Sequence, residues 1–168
     1  MAAGSTYTPI ATTTLGSAAA SYTFSSIPST YTDLVCVIAA AGSIGTDIAI
    51  NYNGDTGTNY SETILYGTGS AAGSVRETNT TRPLLDYYGG LSTTLGNQVT
   101  IVNIMNYSNT TTYKTALSRS NQAGSGVDAG VVLWRNTAAI TSVTIKTTAG
   151  GANLAIGSVL TLYGIQAA

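Results

Sequence analysis

The sequence contains no histidine, and this removes the usual general base, the commonest metal ligand and any Ser-His-Asp triad. Its one cysteine, Cys36, lies within the apolar run of residues 34–38, where a free cysteine usually packs as a small hydrophobic side chain. No phosphate-binding glycine motif links a predicted strand to a helix. We therefore predict that the protein is not an enzyme and has no catalytic residue.

The carboxylates are scattered along the chain, which has seven of them. They are Asp33, Asp47, Asp55, Glu62, Glu77, Asp86 and Asp128. A glycosidase needs two facing carboxyl groups, but none of these acids lies in a dense acidic or aromatic context. We expect them to be solvated turn residues.

Three oxygen-bearing side chains, those of Asn53, Asp55 and Asn59, lie close together in one predicted turn. Calcium takes about six to eight oxygen ligands, and a single carboxylate is few for such a site. We expect Asp55 to cap its own turn instead. The sequence therefore predicts no metal site and no cofactor.

Tyrosine is the main aromatic residue, with 11 copies against one Trp and one Phe. A tyrosine ring packs against apolar surface while its hydroxyl forms hydrogen bonds, which suits protein interfaces and sugar-binding faces alike. Tyrosine is also enriched in β-strands, and that ordinary explanation is favoured. The residue count by itself leaves these interpretations open.

The composition indicates the elements that would position these side chains. Charged residues make up 8% of the chain, against about 25% in an ordinary soluble protein. Thr, Val, Ile and Tyr are typical of strands, and the intervening Gly, Asn and Ser clusters are typical of turns. The net charge is −1, with no basic cluster to bind phosphate, so no nucleic-acid partner is predicted. Such weakly charged surfaces can associate without desolvating ions, which favours a protein that works in an assembly.

The clearest predicted strand runs from Val159 to Ile165, after a turn at Gly157-Ser158. Leu160 and Leu162 share one face, and the other face is also apolar. A strand with two apolar faces is typical of the middle of a sheet, so we expect this strand to have a neighbour on each side.

Further strands are predicted from the same patterns. They are residues 22–24, 33–41, 47–53, 60–66, 99–107, 113–120 and 127–135, and the segment around 143–145. Residues 60–66 also fit one or two helical turns, but a strand is preferred. In 47–53, Ala49 and Asn51 are predicted to face outward, and residues 67–81 are predicted to form a long polar loop. The pattern predicts about nine or ten strands in an all-β sandwich or barrel.

One domain is predicted for residues 21–168, preceded by a Thr-, Ala- and Gly-rich stretch of residues 1–20. Ile10 and Leu15 could anchor a weak strand there, and an arm that is flexible or orders on a neighbouring copy is the other interpretation. We expect no Sec-type signal at the N-terminus. No apolar run approaches the roughly 20 residues of a membrane helix, so no membrane partner is predicted.

Two stretches in combination resemble small virion structural proteins of tailed bacteriophages, cyanophages among them. One is Asn53-Gly54-Asp55-Thr56-Gly57-Thr58-Asn59-Tyr60-Ser61. The other is Trp134-Arg135-Asn136-Thr137-Ala138-Ala139-Ile140-Thr141-Ser142-Val143-Thr144-Ile145, followed by Asn153-Leu154 and the strand that ends Leu162-Tyr163-Gly164-Ile165. The resemblance covers the chain from Tyr22 onward. It implies an antiparallel jelly-roll-like β-sandwich, and it carries over no functional residue.

The same resemblance implies a function. The protein would be a capsid decoration (cement) protein that binds and stabilises the outside of the phage head, assembled in the host cytoplasm and located in the virion. Its partners would be the major capsid protein and further copies of itself in a homotrimer. The alternative is a tail- or fibre-associated module that binds a receptor or a carbohydrate, since the same sandwich hosts lectins. A secreted accessory domain of a glycosidase is a third interpretation, which the expected lack of a signal sequence disfavours.

Overall fold

The computed structural model describes residues 6–166, and within that range it contains β-strands and no helix. Every strand pairing is antiparallel. The strands are β1 (Tyr7–Thr14), β2 (Ser21–Phe24), β3 (Asp33–Ala39), β4 (Ile48–Tyr52), β5 (Tyr60–Gly67), β6 (Ala72–Thr80), β7 (Gln98–Met105), β8 (Lys114–Gln122), β9 (Gly126–Trp134), β10 (Val143–Thr147) and β11 (Val159–Ile165). The predicted all-β, antiparallel jelly-roll-like β-sandwich is confirmed, with two sheets and 11 strands. The described chain has no helix long and apolar enough to cross a bilayer.

Two sheets of unequal size make the sandwich. The large sheet has eight strands in the order β1-β11-β3-β7-β8-β9-β5-β6, and the small sheet has three in the order β2-β10-β4. β1 and β6 are therefore the two edges of the large sheet. Because three strands cannot cover eight, loops between the named strands complete the cover over the inner face of the large sheet.

The C-terminal strand β11 lies between β1 and β3, which confirms that it is inside a sheet. Leu162 is opposite Cys36 of β3 on one side and Ala11 of β1 on the other. Leu160 and Leu162 are both fully buried. The apolar character of both faces correctly predicted a strand with two neighbours.

The apolar core lies between the sheets, and its bulkiest members are aromatic. Trp134 on β9, Tyr60 on β5 and Tyr52 on β4 are all buried. The ring centroids of Tyr60 and Trp134 are 6.3 Å apart and nearly parallel, and those of Tyr52 and Trp134 are 5.5 Å apart. Cys36 is fully buried in the same core, as predicted, and burial raises the pKa of its thiol to about 12. The reactive thiolate is therefore strongly disfavoured.

The edge strands are where the sequence prediction and the structure differ most. β6 lies within residues 67–81, so the prediction of a long polar loop there is wrong. β1 shows that residues 7–14 form a strand paired with β11. This is the strand interpretation of the N-terminal stretch, while residues 1–5 lie outside the described residues and the division after residue 20 stays a prediction. An edge strand has one strand neighbour and solvated side chains, so its sequence need not show apolar alternation.

The prediction that one face of β4 is exposed is also wrong. All five β4 residues are buried, including Ala49 and Asn51, which were predicted to face outward. The segment around Leu84 runs alongside β4, with Leu84 opposite Ala49. The Asn51 side chain donates hydrogen bonds to the backbone carbonyls of Asp55 and Thr81, each at 3.0 Å. A loop that is distant in sequence thus covers a face that the strand pattern presented as exposed.

Candidate functional site

Three carboxyl groups lie together at one end of the sandwich interior, which we call the acidic end (Asp47, Asp86 and Asp128). Asp128 is the third residue of β9, Asp47 immediately precedes β4, and Asp86 follows the segment beside β4. Asp86 is fully buried and Asp128 is only 4% exposed. The expectation that the acids are solvated turn residues is therefore wrong for this group.

The carboxylate of Asp128 holds the loop that closes the acidic end. It accepts hydrogen bonds from three consecutive backbone amides, those of Tyr87 (2.8 Å), Tyr88 (3.0 Å) and Gly89 (2.5 Å). The Ser120 hydroxyl of β8 donates a further hydrogen bond at 3.2 Å. Hydrogen bonds to an ionised acceptor are stronger than neutral ones, and they compensate for removing the charge from water. Asp128 therefore fixes the backbone of the loop onto the large sheet.

Asp86 extends this network toward the small sheet. It accepts a hydrogen bond from the Ile48 backbone amide at 2.9 Å and another from the Gln98 side chain at 3.3 Å. Gln98 also donates to the Gly89 carbonyl at 2.5 Å. Burial raises the pKa of Asp86 well above its ordinary value, and nearby carboxylates add to this rise against the two hydrogen bonds. The protonated acid is thus favoured at this position.

Two more carboxyl groups are shifted in the same direction. Glu62 on β5 is 3% exposed, and its Oε2 atom has no hydrogen-bond partner. Burial raises the pKa of Glu62 to about 7, and the Glu77 carboxylate opposite it on β6 adds to the shift. Burial likewise raises the pKa of Asp47 to about 6, with Asp128 adding to the effect. Asp47 lies at the acidic end, whereas Glu62 is opposite Val132, two residues from Tyr60 and toward the other end of the interior. Groups that titrate near neutrality are therefore present toward both ends.

Three tyrosine rings lie beside the acidic end, and we call them the tyrosine cluster (Tyr66, Tyr87 and Tyr88). Tyr66, near the end of β5, is opposite Asp128 in the sheet. Its ring centroid is 5.6 Å from that of Tyr87 and 4.6 Å from that of Tyr88, and the last two are 5.2 Å apart in an edge-to-face arrangement. Tyr87 is 42% exposed and Tyr88 is 38% exposed. The cluster is therefore a packed aromatic surface open to solvent.

Glycines provide the space that the cluster occupies. A Cβ atom on Gly73 of β6 would lie 2.6 Å from the Tyr66 hydroxyl, which is too close for any side chain. A Cβ atom on Gly126 of β9 would lie 2.6 Å from the Gly67 carbonyl and 3.3 Å from the Cβ of Tyr88. Neither Gly73 nor Gly126 has a positive φ, so their role is close approach of neighbouring groups rather than an unusual backbone angle.

A depression of about 440 Å³ lies at the same end of the large sheet as the tyrosine cluster. It lies between the turn that joins β5 to β6 and the turn that joins β8 to β9, and Gly67 and Gly126 line it. Gln122 also lines it, and its side-chain amide has no hydrogen-bond partner within the described chain. Asn121 alternates with Ser120 on β8, so it points to the opposite side of the sheet from Asp128. The depression therefore presents one free amide, that of Gln122, on the side of the tyrosine cluster.

A different surface covers the outward side of the large sheet, and we call it the outer face. Its members point away from the core on β5, β7, β8 and β9. They are Ser61, Thr63, Leu65, Val99, Ile101, Asn103, Met105, Thr115, Leu117, Arg119, Asn121, Val127, Ala129, Val131 and Leu133. Leu65 is 60% exposed, and Leu117 and Val131 are more than 40% exposed. Arg119 is the charged residue among them, and Arg76 of the adjoining strand β6 lies beside Thr63 and Val131 on the same side of the sheet.

The predicted turn cap at Asp55 is confirmed. Its carboxylate accepts hydrogen bonds from the Gly57 backbone amide (2.8 Å), the Asn59 side chain (2.9 Å) and Trp134 Nε1 (2.7 Å). Desolvation acts to raise the pKa of Asp55, but these hydrogen bonds outweigh it and the pKa lies below its ordinary value. Asn53 turns its amide oxygen to the backbone amide of Thr141 at 2.8 Å. The three oxygen-bearing residues therefore serve the local structure.

One pattern in the sequence could have predicted that Asp128 is buried at the acidic end. Asp128, Val132 and Trp134 are separated by even numbers of residues on β9, so they share the inward face of the strand. The sequence gives no comparable signal for the tyrosine cluster. Tyr66 and the Tyr87-Tyr88 pair are about 20 residues apart, and they come together only because Asp128, opposite Tyr66 in the sheet, binds the loop that carries Tyr87 and Tyr88. Among residues 6–166, no group of three or more His, Cys, Asp or Glu side chains is placed to hold a metal ion.

No family model and no curated protein matches this sequence. Among solved structures, the chain is similar to the galectin LEC-6 of Caenorhabditis elegans, with 10% sequence identity over 93% of this chain and 96% of the galectin. The TM-score of this match is 0.35. At that score neither the fold nor the ligand of the galectin is transferred to this chain.

Proposed function

We propose that this protein is a bacteriophage virion structural protein that decorates and stabilises the outside of the phage head. The resemblance to small virion proteins of tailed phages supplies the starting point. The observation that carries the proposal is the outer face, where exposed aliphatic side chains surround Arg119 and where Arg76 of β6 lies at the border. Contiguous exposed apolar surface marks sites of association with other proteins.

The chemistry of the outer face suits attachment to a shell made of many identical subunits. Leu65, Leu117 and Val131 border a depression of about 450 Å³ near the centre of the face. Burying such a surface removes apolar area from water and desolvates few ions. Because a decoration protein is present in many copies, each contact can be modest while the sum stabilises the shell. The proposed partner of the outer face is the major capsid protein.

We also propose a homotrimer as the unit that binds the head. Low overall charge reduces the desolvation cost of contacts between copies. Sedimentation of the isolated protein at micromolar concentration should give a mass three times that of the chain. A stable monomer in the absence of capsid would contradict this part of the proposal while leaving attachment to the shell open to the next test.

Phage particles that lack this protein provide the decisive experiment. We expect them to lose DNA at lower temperature or on milder osmotic shock than complete particles, while adsorbing normally to host cells. Particles that keep their DNA but fail to adsorb would refute the decoration role.

A substitution on the outer face tests the surface itself. Leu117→Asp should abolish binding of the purified protein to particles that lack it, because it replaces apolar contact at the centre of the face with a charge that must be desolvated. Ile156→Asp is the matched control, since Ile156 is also exposed but lies in the turn before β11. Equal binding by both variants would show that the outer face is not the attachment surface.

A receptor-binding or carbohydrate-binding role at the tail is the second candidate. The tyrosine cluster favours it, because exposed aromatic rings with free hydroxyls suit ligand recognition. Copy number separates the two positions on the virion. Hundreds of copies per particle would support decoration of the head, whereas a handful would support the tail.

A further inference from the structure

We infer that the tyrosine cluster, together with the depression beside it, is a binding site for a neutral glycan. The inference concerns a surface other than the outer face, so it holds for a position on the head or on the tail alike. Its ligand class follows from three features: an exposed aromatic surface, free hydrogen-bonding groups next to it, and the buried Asp128 behind it.

The aromatic surface matches the apolar side of a pyranose ring. One side of a pyranose presents C–H groups, which pack against an aromatic ring, while the hydroxyls project from the rim toward polar groups. Tyr87 and Tyr88 are both more than one-third exposed and meet edge to face at 5.2 Å. Tyr66 packs against both rings and holds them in place. Two ring faces at a steep angle form a corner into which a sugar ring can be placed.

Hydrogen-bonding groups lie free around that corner. The hydroxyls of Tyr66, Tyr87 and Tyr88 have no hydrogen-bond partner among the described residues. The side-chain amide of Gln122, which lines the adjacent depression, is also without one. An apolar surface with a small number of free polar groups is the usual composition of a small-ligand site. Amides and hydroxyls that both donate and accept suit sugar hydroxyls, which do the same.

The loop that carries the two exposed rings is fixed before any ligand arrives. Asp128 accepts hydrogen bonds from the backbone amides of Tyr87, Tyr88 and Gly89. Gly126, whose lack of a side chain admits Tyr88, lines the depression as well. A site that is already ordered loses little conformational entropy on binding, so its contacts contribute more fully to affinity. Asp128 is thus a positioning residue for the proposed site.

The carboxyl group of Asp128, which lies behind the rings of Tyr87 and Tyr88, disfavours binding of acidic sugars. Asp128 contacts the backbone of the ring-bearing loop directly. A carboxylate so close to the loop repels a uronate or a sialate brought to the same surface, whereas Asp86, whose raised pKa favours the protonated acid, adds no such charge. Neutral hexoses and N-acetylhexosamines carry no such penalty. We therefore assign the site to neutral glycans.

Saturation-transfer NMR on the full chain tests the assignment. The probes are neutral oligosaccharides of glucose, galactose, mannose and N-acetylglucosamine, and the acidic comparison set is sialyllactose and oligogalacturonate. We expect transfer to the C–H face of at least one neutral probe and none to the acidic set. The absence of transfer to every neutral probe at millimolar concentration, or a preference for the acidic set, would overturn the inference.

Variants locate the site. The double variant Tyr87→Ala with Tyr88→Ala should weaken binding of the responding sugar by about tenfold or more, as for removal of central aromatic anchors. Tyr113→Ala is the matched control, because Tyr113 is 54% exposed but lies in the loop between β7 and β8. Unchanged affinity in the double variant, or an equal loss in the control, would place the site elsewhere.

A measurement on the unmutated chain guards against a misfolded variant. With ¹³C-labelled tyrosine, the ring resonances of Tyr66, Tyr87 and Tyr88 should shift on addition of the responding sugar, while that of Tyr113 should not. Sugar binding that shifts only other tyrosines would refute the assignment. None of these results depends on whether the protein attaches to a phage head, so failure of one proposal is distinguishable from failure of the other.

Discussion

The two ends of the sandwich interior are stabilised by different interactions, apolar packing at one end and hydrogen bonds to carboxyl groups at the other. At one end Trp134, Tyr52 and Tyr60 pack as a group, and we call this the aromatic end. At the other end the same face of β9 carries Asp128. The two positions are six residues apart on one strand, or about 20 Å. One strand therefore crosses from a core held by apolar contact to a core held by hydrogen bonds to carboxyl groups.

This difference teaches what each end can do. The aromatic end gains stability mainly from apolar burial, which has no protonation step, and its dependence on pH comes from Asp55 and the nearby Glu62. The acidic end fixes a loop and its exposed tyrosines, at the cost of burying groups whose pKa values rise. Stability should therefore reside mainly at the aromatic end and ligand recognition at the acidic end, while both ends carry groups that titrate.

The largest expected effect is at the aromatic end. Trp134→Ala should lower the free energy of unfolding by about 3–5 kcal/mol, because it removes a buried indole and leaves a cavity. Urea denaturation measures the loss. Trp134→Phe retains a ring but loses the hydrogen bond to Asp55, so it should cost clearly less. Equal losses in the two variants would mean that the hydrogen bond, and not packing, dominates this end.

At the acidic end, Asp128→Asn should cost about 1–3 kcal/mol, because an amide cannot accept all the hydrogen bonds that the carboxylate accepts. Hydrogen exchange should accelerate at the backbone amides of Tyr87, Tyr88 and Gly89 and remain unchanged in β11. Ser120→Ala removes one donor alone and should leave the exchange of those amides slow. Uniform acceleration across the sheet would show that Asp128 supports the whole fold and not the loop.

Asp55 is the carboxylate of the aromatic end, and its substitution should have a smaller effect. Asp55→Ala should cost about 1–2 kcal/mol, since hydrogen bonds to a charged group are lost at a partly exposed turn. The pKa of Asp55 is lowered in the folded protein, so its contribution is present above the unfolded pKa and is lost as pH falls through the folded value. Thermal melts should therefore show a smaller difference between variant and wild type at acidic pH than at neutral pH.

The smallest effect, and the one of opposite sign, is expected at Glu62. Burial raises its pKa from 4.5 to about 7, so its contribution to stability is fully present below the unfolded pKa and is lost as pH rises through about 7. Glu62→Gln should be more stable than wild type at pH values above neutrality and similar to it at acidic pH, by urea midpoints. Glu77→Gln should move the same transition to lower pH, because it removes the opposing charge. A wild-type midpoint that rises steadily with pH would contradict this account.

The sequence by itself determined the fold class and the interior strands. Apolar residues on both faces of β11 and β3, and two-residue alternation on β10, follow directly from which side chains must leave water. The burial of Cys36 and the turn cap at Asp55 were predictable for the same reason, since each depends on residues close in the chain. The virion role came from resemblance and stays a proposal.

Tertiary structure alone decided the edges, the covered face of β4 and the candidate glycan site. β1 and β6 are strands because a neighbouring strand offers backbone hydrogen bonds, which no side-chain pattern records. Asp86 and Asp128 are buried because their donors, Ile48 and the amides of residues 87–89, arrive from distant parts of the chain. The pattern of apolar and polar residues along a strand indicates which side chains avoid water. It cannot indicate the hydrogen-bond donors of a buried carboxyl group, because those donors come together only when the sheets form.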